Sequence, residues 1–245
     1  MIRETALMLG LGLASAFVPL QVQSQSAPMV TLRKPLMSIG IKAGFNSSMF
    51  FSDELSIGGE KIENLQNNYK VGYFAALFCR FNLKEHHFLQ TELSYNVSKG
   101  SVSIPNTLAN SELIPDNALI KTVITSFDLP VLYGYKFVDI PPYGMAFFMG
   151  PKIAYIWDKQ TKNEFSGFHQ QEIRERFHPW NYSAVGGLAV NVSNIFFDFR
   201  YEIGLHNMTR SITYNQTLTD SPYNEKEISI KRRRNLLSFS VGVIF

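Results

Sequence analysis

Nine charged residues fall where opposite signs could meet: Lys42, Arg80, Lys136, Lys152 and Arg200 against Glu92, Asp128, Asp198 and Glu202. Each stands in a run of alternating apolar and polar residues, on the polar side, among Gly, Ser and Asn. Buried together they would have to pair, because an unpaired charge out of water is costly. The chemistry expected of them is mutual neutralisation, a structural charge network in a closed interior. Catalytic residue types are sparse by comparison. A base and a hydroxyl nucleophile could meet at His206, with Thr209 and Ser211 nearby. His169 and His178 fall in a long connection and His86-His87 at a short turn. None of these spacings is diagnostic, and a loop histidine is more often polar surface. The single cysteine, Cys79, lies in an apolar stretch, so neither an intramolecular disulfide nor a cysteine metal site can be built. The expectation is a chain with no catalytic, metal or cofactor site. The run Lys231-Arg232-Arg233-Arg234 reads as a solvated loop end, and a net charge of +3 gives no argument for a nucleic-acid partner.

The elements that must position those charges are strands. Met37, Ile39, Ile41, Ala43 and Phe45 share one face of an extended segment, and Ser38, Gly40, Lys42, Gly44 and Asn46 share the other. Side chains alternate faces along a strand, so this is one apolar and one small, polar side. The pattern returns over 69–81, 87–98, 119–137, 145–157, 180–191, 195–205 and 235–245, which makes eight strands. Phe74, Phe78, Leu132 and Phe148 break it. Connections alternate as well: roughly 48–68, 99–118, 158–179 and 206–234 are long, whereas 82–86, 138–144 and 192–194 are short. Charged residues are 18% of the chain, below the roughly 25% of soluble domains, and aromatics are 13%.

Strict alternation of long loops and short turns, with period-two strands, predicts an all-β chain: an eight-stranded antiparallel transmembrane β-barrel of the outer membrane. Long loops would face outward, and short turns and both termini the periplasm. The alternative is a soluble barrel with its apolar face inside. A solvent-facing strand surface would be rich in Lys, Glu and Thr. Here the polar face carries Gly40, Gly44, Gly72, Gly134, Gly150, Gly187, Gly204 and Gly242, which suit a crowded axis. The apolar face therefore reads as lipid-facing, with Tyr69, Tyr135, Tyr155, Trp157 and Trp180 in the interfacial girdles. Arg3 before the apolar run Ala6–Leu20, followed by Val22-Gln23-Ser24 and Ser24-Gln25-Ser26, reads as a cleaved export leader. The expected organisation is a signal peptide over 1–26, a short periplasmic segment over 27–36 and the barrel over 37–245.

Several segments then resemble a known family. Ser38–Asn46, Leu89–Tyr95 with Lys99-Gly100, Asp128–Leu132, Gly150-Pro151-Lys152 and Arg200–Leu205 are similar in order and spacing to the PorT family of outer-membrane β-barrels from Bacteroidota. The resemblance covers residues 37–245. It implies the barrel fold and, for the founding member, a role in type IX protein secretion; it supplies no catalytic motif. It further implies outer-membrane lipid, the barrel-insertion machinery and secretion-system proteins as partners, with the terminal aromatic Phe245 similar to an insertion signal. A small-solute porin-like barrel and a lipid A-modifying enzyme are the competing readings.

Overall fold

Eight strands form one closed antiparallel ring in the computed structural model, which describes residues 35–83, 86–107 and 112–245. They are β1 (Met37–Ile57), β3 (Gln66–Asn82), β4 (His87–Ile104), β5 (Ala118–Ile140), β6 (Tyr143–Ile156), β9 (Trp180–Val192), β10 (Ile195–Gly204) and β12 (Ile228–Ile244). Each pairs with the next in this order, and β12 returns to β1 from Gly40↔Ile244 to Ile57↔Ile228. Closure leaves no strand edge unpaired, the condition for a sheet to cross hydrocarbon. Short turns join β3 to β4, β5 to β6 and β9 to β10 at one end; long connections lie at the other. The segments expected as signal peptide and, up to residue 34, as periplasmic linker lie outside the described residues.

The alternation decides which face is inside. Ile39, Ile41, Phe45, Leu77, Leu93, Leu129, Ile153, Leu188, Phe199 and Val241 are all exposed on the outer wall. On β5 the exposed belt runs from Phe127 to Phe137, close to the ~9–11 residues a tilted strand needs to cross a bilayer. Aromatic pairs border it. Tyr155 and Trp180 lie 5.1 Å apart and Phe127 and Trp157 5.7 Å apart towards the long-loop end, and Tyr135 and Phe147 lie 5.7 Å apart towards the short-turn end.

Inside, two of the residues that break the alternation, Phe78 and Phe148, join two other phenylalanines in matching the glycines. Phe78, Phe88, Phe148 and Phe196 point into the lumen and are at most 4% exposed. Their direct cross-strand partners are Gly40, Gly134, Gly187 and Gly242. A Cβ at any of the four would overlap the facing ring. Each aromatic ring thus lies over bare backbone, and four such pairs, with Leu132, Ala146, Val185 and Ala189, floor the barrel near the short turns.

The strands run further than the alternation predicts at the long-loop end, where the expected loops are partly strand. β1 reaches Ile57 and pairs with a short β2 (Glu60–Lys61), and β12 begins at Ile228. Beyond the end of β6, β7 (Lys162–Ser166) takes its place against β5. Beyond β9 and β10, a two-stranded ribbon of β8 (Gln171–Phe177) and β11 (Thr209–Asn215) continues the wall. Met208 donates its backbone N–H to Arg232 O, and Asn163 Nδ2 donates to Glu175 O, tying the ribbon to β12 and β7. Leu55, Ile57, Val102, Ile104, Leu113, Ile114, Ile120, Phe168 and Ile230 fill this upper wall as an apolar cap. Burial still alternates along β1 and β12 here, but the apolar side, Leu55 and Ile57 with Ile228 and Ile230, is now the inner one and the outer side is polar, the reverse of the belt.

An arginine placed on the outer belt tests this arrangement. Leu93→Arg should destabilise the barrel by about 2–4 kcal/mol, measured by denaturant unfolding in liposomes; a change under about 1 kcal/mol would put Leu93 outside hydrocarbon.

Candidate functional site: the charged lumen

Between floor and cap the lumen is polar, and its charges come from strands far apart in sequence. Lys42 Nζ on β1 donates to Glu92 Oε1 on β4 at 2.8 Å and to Asp198 Oδ2 on β10 at 3.0 Å. Arg200 donates to both oxygens of Glu92, at 3.0 and 3.1 Å, and to Asp198. One lysine and one arginine thus share two carboxylates. Arg80 closes this layer from below. Its Nε donates to Gln90 Oε1 at 2.7 Å, Gln90 Nε2 donates to Glu92 at 2.6 Å, and its guanidinium stands 4.6 Å from the ring centre of Phe88. Arg80 therefore trades ion pairing for three aromatic faces, Phe78 and Phe196 being the others.

A second layer lies towards the long loops. Lys152 on β6 donates to Asp128 Oδ2 on β5 at 2.9 Å and to Glu202 on β10. Ser126, Asn96 and Ser183 satisfy the remaining carboxylate lone pairs at 2.6–2.9 Å. The cavity between the two layers has a volume of about 20 Å³, enough for one water. Eight of the nine residues expected in a lumen network are brought together here. Lys136 is not: it stands half-buried at the short-turn rim, past the floor, where its Nζ donates to Asn82 Oδ1 at 2.9 Å.

Two members were hidden in the basic run. Lys231 and Arg233 face out, but Arg232 and Arg234 face the lumen and are almost fully buried. Arg234 donates to Ser126 Oγ at 3.1 Å and Ser98 Oγ at 3.0 Å and lies 3.7 Å from Asp128. Arg232 donates to Thr122 Oγ1 at 3.0 Å and approaches Glu175 Oε2 to 3.3 Å, while Thr209 donates to Glu175 Oε1 at 2.6 Å. Reading the run as a solvated loop end is thus half wrong. The strand starts at Ile228, so alternation turns every second arginine inward. The outward Lys231 donates to Glu54 at 2.8 Å; with Lys61 it holds that carboxyl down to about 2.

The other candidates do not assemble. Thr209, near His206 in sequence, spends its hydroxyl on Glu175, and His206 lies instead beside Tyr182 at 5.7 Å and His178 at 6.4 Å. His87 Nδ1 meets the Tyr133 hydroxyl at 2.6 Å at the short-turn end. His169 stacks on Tyr223 at 3.7 Å in the cap, where burial first and Lys226 second push its pKa down. Cys79 is a half-buried free thiol.

What the lumen can do chemically is hold itself shut. Glu92 and Asp198 each accept from two cations, and Asp128 and Glu202 from one cation and a neighbouring hydroxyl or amide, so each of these four carboxylates is engaged within the lumen. Removing one carboxylate should be costly: Glu92→Gln is expected to lose about 3–5 kcal/mol, because Lys42 and Arg200 keep their charge in a site that no longer balances it. Glu54→Gln, breaking an exposed pair, should leave the urea midpoint unchanged. Equal effects from the two would remove the distinction between lumen and surface charges.

Known proteins place this architecture. Residues 23–210, more than half of the chain, match the family described as outer membrane protein beta-barrel domain. No curated protein matches the chain. Among solved structures, the outer membrane protein OprG from Pseudomonas aeruginosa superposes with a TM-score of 0.54 at 10% identity, covering 85% of this chain and 95% of its own. Neisserial surface protein A aligns at 10% identity and a TM-score of 0.39, covering 85% and 97%. Ail from Yersinia pestis aligns at 11% identity and a TM-score of 0.36, covering 85% and 99%. At 10% identity the likeness to OprG is one of fold, and it agrees with the closed antiparallel ring. The chain belongs to the outer membrane protein β-barrel domain family.

Proposed function

We propose that this barrel is a closed, non-enzymatic scaffold of the outer membrane, an accessory or anchoring component of an envelope complex such as type IX protein secretion. The observation that carries the reading is the sealed lumen: an aromatic floor, two ion-paired layers and an apolar cap stacked along one axis. A barrel filled this way offers neither a path for solutes nor a free general base, so its working surfaces are its ends. The upper wall is elaborated far beyond what crossing a bilayer needs, which favours the long-loop end as the larger of the two. The resemblance of residues 37–245 to the PorT family supports secretion as the process served.

In this reading the long connections face outward and the short turns face the periplasm, with both ends of the barrel chain on that inner side. Membrane lipid covers the apolar belt. Phe245, exposed beside the seam that its N–H closes by donating to Ile39 O, would be read by the insertion machinery.

Two measurements test the proposal. Purified protein in planar bilayers should show no unit conductance at physiological salt; reproducible steps would replace the scaffold with a pore. Deletion of the gene should trap type IX cargo in the periplasm. Normal secretion would exclude that complex.

A further inference from the structure

The β8–β11 ribbon has two unlike faces. Glu175, Phe177, Thr209 and, partly, Ile173 and Ile212 turn inward and pack the upper lumen. Arg174 and Arg176 turn outward on β8, opposite Thr213 and Ser211 of β11, and Arg210 is exposed in the bulge between Thr209 and Ser211. Residues two apart on one strand face stand about 7 Å apart, so the two β8 guanidiniums and the third from β11 form one cluster edged by two hydroxyls. Among the described residues none of the three guanidiniums has an ion-pair partner. The nearby carboxylates are engaged elsewhere: Glu175 is turned inward to Arg232, Glu172 accepts from Asn215 at the ribbon tip, and Glu164 on β7 pairs with Lys121 at 3.5 Å.

The depth of this cluster is set by what lies beneath it. Trp180, Tyr182 and Leu205 are exposed at the upper border of the apolar belt, and His178 and His206 follow. The three arginines come next. Aromatics, then histidines, then unpaired guanidiniums is the order of a wall passing from hydrocarbon through an interface into a layer of anionic headgroups. A guanidinium matches phosphate bidentately, and flanking hydroxyls add donors without competing charge.

We propose that Arg174, Arg176 and Arg210, with Ser211 and Thr213, bind the phosphate groups of a phosphorylated sugar lipid in the outer leaflet. This rests on the outward orientation of the long-loop end given above. The site fixes the barrel's depth and seats one lipid against the ribbon.

The test uses the full-length protein in nonionic detergent, titrated with diphosphoryl lipid A and with the same lipid after removal of both phosphates, read by native mass spectrometry. The wild type should retain the phosphorylated lipid and not the dephosphorylated one, with an affinity that falls as salt rises. The triple variant Arg174→Gln, Arg176→Gln, Arg210→Gln, whose residues are all exposed, should bind roughly 100-fold more weakly, about a factor of five per arginine at an anionic surface. Equal binding by the triple variant, or equal retention of the dephosphorylated lipid, overturns the proposal. So does displacement by inorganic phosphate at matched phosphate concentration, which would make this a free-anion site. Orientation is read separately by labelling Thr213→Cys, in a Cys79→Ala background, with a membrane-impermeant maleimide on intact cells. Labelling with unchanged lipid binding in the triple variant rejects the lipid site alone. Labelling only after cell disruption rejects the orientation, and the lipid site with it.

Discussion

An ion removed from water must find its counter-charge within a few ångströms, and this barrel is organised around that demand. Among the described residues, six cations and five anions are turned into a lumen too narrow to hydrate them: Lys42, Arg80, Lys152, Arg200, Arg232 and Arg234 with Glu92, Asp128, Asp198, Glu202 and Glu175. Coulomb attraction at low dielectric and multiple hydrogen bonds per carboxylate offset the cost of desolvation. Partners come from β1, β4, β5, β6, β10 and β12, and all the pairs between these strands but Lys152–Asp128, which lies across the β5–β6 seam, tie together strands that are not neighbours in the ring. The cross-links run through the axis, where backbone hydrogen bonds of the wall cannot reach. The remaining cation is Arg80, which sits over aromatic rings and reaches Glu92 through Gln90.

That demand explains why so much of the fold can be read from residue order. The outer face meets lipid and must be apolar; the inner face meets other side chains and must be small or paired. The two requirements write themselves as a period of two, so strand number, turn alternation and the sides taken by Lys42, Glu92 and Asp198 all follow from it. Legibility fails where a residue's surroundings are not set by the strand alone. Above the bilayer, β1 and β12 have protein on the inner face and water on the outer, so the apolar side is the inner one and the phase that marks a strand in lipid no longer applies. Arg232 and Arg234 are illegible in sequence because four successive basic residues look alike until the strand is known to start at Ile228. Glu175 was out of reach because its inward turn depends on the β8–β11 ribbon, whose pairing spans a long connection.

Of the floor phenylalanines, Phe78 and Phe148 stand out in the sequence as exceptions, and Phe88 and Phe196 do not stand out at all. A large ring among glycines and serines contradicts a rule of small lumen residues when strands are taken one at a time. Taken as cross-strand pairs, ring and glycine together occupy the volume of two ordinary side chains, and the rule holds for the pair.

These four pairs are distributed in a particular way. They sit on the seams β1–β3, β4–β5, β6–β9 and β10–β12, so every strand of the ring carries one member and none carries two. These are also the four hairpins joined by long connections. Where a tight turn joins two strands the turn dictates how they align; where a long loop joins them nothing in the loop does. A slip of two residues would set Phe78 against Ser38 or Lys42, Phe88 against Leu132 or Lys136, and Phe196 against Ser240 or Ile244, each with a Cβ where the ring must lie. The lumen thus carries a notch and a tooth for every hairpin whose alignment is otherwise free. Barrel assembly can be proofread by shape, one seam at a time, before any charge in the axis has found its partner.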